Sequence, residues 1–102
     1  MFKIGQTEYG LHYNIARVRL LERALGSSIM SIVSNSQGLF SIDQLSTCLM
    51  YGLIKKDATA HVGLAETEPL VEKLFEKETY EGLCKAVIVQ LSEDCPFLFP
   101  KN

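Results

Sequence analysis

Across residues 39–56, LFSIDQLSTCLMYGLIKK, the apolar positions recur at helical spacing. Leu45, Leu49 and Leu53 lie one turn apart, and Ile42, Cys48, Met50 and Ile54 widen the stripe into a broad face that water would not tolerate. The pattern predicts a central helix over about 42–54. Its start is written twice. Ser41 can accept from the first free backbone N–H groups while Gln44 reaches back to the Ser41 N–H, and Phe40 with Leu45 occupies the positions of a hydrophobic staple. Gly52 is the exception in this stretch, costing about 1 kcal/mol relative to alanine inside a helix. Either a backbone or a large side chain approaches closely there, or the helix ends near Leu53. Lys55 and Lys56 suit the negative end of such a helix.

Ahead of this element, Phe2 and Ile4, then Tyr9, Leu11 and Tyr13, alternate with polar residues, which predicts a two-stranded hairpin over 2–13 with its turn from Gly5 to Glu8. A lone hairpin is marginal in water, so its apolar face must lie on helices or pair with another strand. His12 falls on the solvent side of this alternation. Asn14 is a good N-cap for a helix over 15–25, with Ile15, Val18, Leu21 and Leu25 at helical spacing and Gly26 as the left-handed stop. Arg17, Arg19 and Arg23 read as its solvated flank, with Arg19 placed to pair with Glu22.

Residues 27–34 crowd Ile29, Met30, Ile32 and Val33 together, where periodicity does not separate strand from helix; a helical turn is favoured. Residues 57–68 read as the longest irregular connection. Pro69 fits the first turn of a helix over about 69–77 capped by Thr67 or Glu68, and Thr79 can cap a last helix over about 80–93. Pro96 and Pro100 forbid helix beyond that, leaving an extended tail, 95–102, that presents Phe97, Leu98 and Phe99. Folding back on the core is the favoured reading of these three residues, because large exposed apolar patches are uncommon. The fold expected is mainly α: a single domain, 1–102, of about four helices with an N-terminal two-stranded β-hairpin.

Composition adds mostly exclusions. At 102 residues with 47% apolar and 22% charged, one hydrophobic core is expected. A net charge of −2 supplies no long-range pull on nucleic acid or an anionic membrane. Cys48, Cys84 and Cys95 are odd in number and lack a CxxC pair, which suggests neither a disulfide framework nor zinc. The N-terminus lacks a basic segment followed by a long apolar run, so a reducing cytoplasmic setting is expected. His61 with Asp57, Glu66 and Glu68 has no recognisable ligand spacing, and the acid-rich run from Glu66 to Glu81 reads as a solvated helix face. With no nucleophile–base pair and no glycine-rich phosphate loop, no catalytic residue, metal or cofactor is assigned and no enzyme is expected.

Taken together, Tyr9, Leu11 and Asn14 leading into Leu21, Glu22, Leu25 and Gly26, then Ile42, Leu45, Leu49, Tyr51, Gly52 and Leu53, resemble the tail assembly chaperones of long-tailed bacteriophages. The likeness spans about residues 2–91. It implies a small helical protein of the infected bacterial cytoplasm, absent from the finished virion, that binds the tape measure protein and keeps it soluble while the tail tube polymerises around it. It also implies a longer form made by ribosomal frameshifting, through which the tail tube protein would be engaged; Pro100-Lys101-Asn102 would permit a slippery codon run. Self-association is a further expectation, whereas nucleic acid and membrane are not expected partners. Phe97, Leu98, Phe99, Tyr80 and Phe75 are the candidate partner-binding residues. The competing class is a small helical regulator or DNA-binding module, against which the missing basic recognition face argues.

Overall fold

The computed structural model describes residues 2–58 and 60–99. Their elements run β1 (Phe2–Ile4), β2 (Thr7–Leu11), α1 (Ile15–Leu25), α2 (Ile29–Ser36), α3 (Ile42–Gly52), β3 (Leu53–Lys55), α4 (Leu64–Lys77) and α5 (Tyr80–Asp94), closing with a 3-10 turn at Pro96–Leu98. Among the described residues the chain is therefore mainly helical, with five α-helices in place of about four and a third strand beside the hairpin. The central helix opens as its sequence requires. The Ser41 hydroxyl accepts from the Gln44 N–H at 3.1 Å, the Gln44 side chain accepts from the Ser41 N–H at 2.9 Å, and Phe40 and Leu45 are both buried. From there α3 packs against α1, α4, α5 and β2, with Leu45, Cys48 and Leu49 at the middle of the core.

Helix α3 stops at Gly52, two residues before the end expected from periodicity. The N-terminal segment provides the reason. β2 pairs antiparallel with β1 on one side and with β3 on the other, in the register Tyr9↔Lys55, Gly10↔Ile54 and Leu11↔Leu53. Ile54 pairs with Gly10 in this ladder, while the Leu53 N–H keeps a last helical bond to the Leu49 carbonyl and the Leu53 carbonyl accepts from the Val62 N–H at 3.0 Å, so a further half-turn of helix is not needed to satisfy them. The hairpin finds its missing partner within its own chain. Lys55 and Lys56 consequently do not sit at a helix terminus: Lys55 ends β3, and the Lys56 ammonium lies 2.9 Å from Glu8, whose carboxyl it holds below the ordinary value. The hairpin turn is also tighter than expected, since β2 already begins at Thr7 and Gly5 takes a positive φ of 62° to make the bend.

The caps of the flanking helices follow the sequence closely. Asn14 accepts from Arg17 N–H at 2.8 Å, Gly26 closes α1 in the left-handed conformation, and Thr79 accepts from Gly82 N–H at 3.0 Å. The crowded stretch after α1 is helical, as favoured: α2 is capped by Ser28, and the Glu22 carboxylate accepts from the Ile29 N–H at 2.8 Å. Helix α4 departs most from expectation. It starts at Leu64, so Pro69 stands sixth in the helix and Thr67 is fully buried inside it, its hydroxyl donating to the Leu64 carbonyl at 2.7 Å. Proline there removes the bond to the carbonyl of Ala65, an exposed residue, so the loss falls where water can replace the missing donor. The preceding connection is correspondingly short and partly ordered by a bridge between Ile54 and His61.

The tail is not extended over its described part. After the buried Cys95 it makes a 3-10 turn in which Leu98 and Phe99 pack against the core, whereas Phe97 is 61% exposed. Pro100 to Asn102, where the frameshift expectation falls, lie outside the described residues. No helix among the described residues is long and apolar enough to cross a membrane.

Candidate functional site

The C-terminal end of α3 is closed by the junction between β2 and α1. An α-helix ends with carbonyls that have no partner within it. Here Arg17 Nε donates to the Tyr51 carbonyl at 2.7 Å and the His12 N–H to the Gly52 carbonyl at 2.8 Å, while the Tyr13 hydroxyl adds a bond to the Cys48 carbonyl one turn earlier, at 2.7 Å. The Arg17 guanidinium lies 5.5 Å from the centre of the Tyr51 ring. Arg17 is therefore a capping residue for another helix and not part of a solvated flank. Tyr13 is fully buried, which pushes its phenol well above the ordinary range and keeps it a neutral donor. Asp94 at the end of α5 joins the same junction: its Oδ2 accepts from the Tyr13 N–H and from Gln90 Nε2, each at 3.0 Å, and lies 3.4 Å from His12 Nδ1.

His12 is half-buried just beyond the strand, and its carbonyl lies 2.7 Å from His61 Nε2. Desolvation depresses the pKa of His61, with Arg17 and His12 adding to the effect against the opposing hydrogen bond. Among the described residues no three His, Cys, Asp or Glu side chains are placed to hold a metal ion, so Asp57, Glu66 and Glu68 form no metal cluster with His61. The three thiols are free and buried, and burial pushes Cys48 up to about 12. It is held protonated and out of reach. These groups are occupied in holding the fold together.

Open surface lies elsewhere, between α3 and α4. Ile42, Ser46 and Met50 of α3 face Val71 and Phe75 of α4 across a groove of about 470 Å³, with exposed Asp43 on one side and exposed Glu68 and Glu72 on the other. At about 100° per residue the apolar arc of α3 from Cys48 through Leu45 to Met50 covers about 200°, twice what one core-facing stripe needs. The surplus is this groove. Ile42 is 57% exposed despite its position on that arc. Another cleft, of about 400 Å³, separates Phe2, Gly10 and Leu11 from Ala86, Val89 and Gln90 of α5. Its one charged residue is Lys56, already engaged by Glu8.

Of the five candidate partner-binding residues, only Phe75 lines the groove. Tyr80 is partly exposed at the first turn of α5, with its hydroxyl donating to the Phe40 carbonyl, which ties α5 to the entry of α3. Phe97, Leu98 and Phe99 follow the opposite end of that helix, about 20 Å along its axis from Tyr80. The five do not form one surface. Ile42, Asp43, Met50, Glu68, Val71 and Glu72 were legible individually as apolar or charged helix positions, and the overwide arc of α3 was the signal that some of them remain uncovered.

Neither family models, curated proteins nor solved structures yield a match to this chain.

Proposed function

We propose that the chain is a phage tail assembly chaperone, which binds the tape measure protein and keeps it soluble during tail tube assembly without entering the virion. The observation that supports this reading is the groove between α3 and α4: an apolar floor of helical length, open at the surface, with acids along its sides. A groove of that form takes the apolar face of an amphipathic helix, and a long helical client exposed before its tube has formed offers many such faces. Most of the apolar residues of the resemblance agree with a packing role, and Ile42 lines the groove itself. Tyr9, Leu11, Leu21, Leu45, Leu49, Gly52 and Leu53 are all buried, and the Tyr51-Gly52 step carries the carbonyls that the β2–α1 junction caps.

The test is co-expression with a tape measure fragment, followed by pull-down and measurement of the fragment's soluble yield. Co-purification with a raised yield is the expected result. Failure of both, together with binding to duplex DNA at physiological salt, would replace this reading with the regulator or DNA-binding class.

A further inference from the structure

Helix α1 presents an outer face whose chemistry complements the groove. Opposite its buried Val18 and Leu21, it exposes Ala16, Leu20 and Ala24 at successive turns, beside Arg19 and Arg23. Leu20 is 39% exposed, an apolar side chain between two small ones that let a second surface approach. Among the described residues neither Arg19 nor Arg23 has a carboxylate within ion-pair distance. On α4, Glu68 and Glu72 are likewise without a cation at that distance. Each pair is spaced i, i+4, about 6 Å along its helix, so the two arginines match the two glutamates one for one. Like charges at that spacing repel within each helix, and bringing the pairs together relieves both repulsions. The lengths agree as well: Ile42 to Met50 spans about 12 Å of floor, and eleven-residue α1 is about 16 Å long.

We infer that in the absence of client the α3–α4 groove is occupied by α1 of a second copy of this chain, with Leu20 on the apolar floor and Arg19 and Arg23 against Glu68 and Glu72. The contact joins two different surfaces of the chain, so it either closes by being made twice or continues from copy to copy. One helix in one groove buries less than the roughly 1,000 Å² of a durable interface, so the association is weak, concentration-dependent and salt-sensitive. As regulation of the client groove it rests on the proposed function: a client helix competes with the second copy for the same floor. The contact itself does not depend on that reading.

Sedimentation velocity on the full chain over a concentration series, at about 50 mM and about 500 mM salt, tests it. The average mass should rise with concentration at low salt, with association weakened on the order of tenfold at high salt. Arg19→Glu/Arg23→Glu and Glu68→Lys/Glu72→Lys should each be monomeric, and an equimolar mixture of the two variants should associate again, because the reversed surfaces match. All four side chains are exposed, and circular dichroism checks that the helices persist; Leu20→Asp, expected to be monomeric, replaces any variant that does not fold. A wild-type chain monomeric throughout, association indifferent to the reversals, or a mixture that stays monomeric overturns the inference. A chain that associates in this way but does not hold a tape measure fragment keeps the inference and loses the proposed function; a monomer that holds the fragment does the reverse.

Discussion

The ring of Tyr13 lies directly over the α-carbon of Gly52. A methyl group added to Gly52 would stand 2.5 Å from Cζ and from the hydroxyl oxygen of Tyr13, and that hydroxyl is fixed by its bond to the Cys48 carbonyl. The contact falls at the residue where α3 ends and the chain turns from helix to strand. It also ties residues 13 and 52 together as one packing unit, so the glycine is retained for space and not for an unusual backbone angle.

Gly52→Ala therefore has a predictable sign. Helix propensity alone would favour alanine by about 1 kcal/mol. The buried ring cannot retreat without breaking its hydrogen bond, and overpacking of this kind costs about 1–3 kcal/mol, so a net loss is expected. Chemical denaturation of the two proteins measures it. An alanine variant more stable than the wild type would show that Tyr13 does not hold this position.

The three thiols report on opening of the core. Cys48, Cys84 and Cys95 are at most 2% exposed, and Cys48 is additionally held protonated. A thiol reagent at neutral pH is expected to label none of them quickly in the native chain and all three in denaturant. Labelling rates should follow the population of the open state. Rapid native labelling of Cys48 would contradict the packing of α3 against its neighbours.

His61 gives the chain a mild acid sensitivity. Its folded-state pKa lies below the ordinary value of 6.5, chiefly through desolvation, so the unfolded chain takes up a proton first. Its contribution to stability is whole above about pH 6.5 and declines as the pH falls from there through the folded-state value. His61→Gln retains a donor for the His12 carbonyl and should flatten the melting temperature's dependence on pH between about 7 and 5.5. An unchanged slope would assign that dependence to other groups.

Local chemistry was the most legible part of the sequence. Ser41 with Gln44, Asn14, Gly26 and Thr79 mark helix ends through side-chain bonds that need only neighbouring residues, and all four ends lie where those signals put them. Elements decided by distant partners were less legible. Leu53 and Ile54 continue the helical period of α3, yet they leave it to stand opposite Leu11 and Gly10 of β2, more than forty residues earlier. Helix α4 begins after Gly63 with no side-chain cap, so Pro69 was the first visible marker and a misleading one. The groove was hidden for the same reason: Ile42 and Met50 read as core until the path of α4 showed which part of the arc it leaves open.

In the proposed function this groove holds an amphipathic client helix. Co-expression of a tape measure fragment with the wild-type chain and with Ile42→Asp tests it most directly, because Ile42 is exposed and its replacement leaves the buried core of α3 intact. The wild type is expected to co-purify with the fragment and raise its soluble yield, and the equally folded variant to do neither. Equal yields with the two chains, or no gain with the wild type, would contradict it.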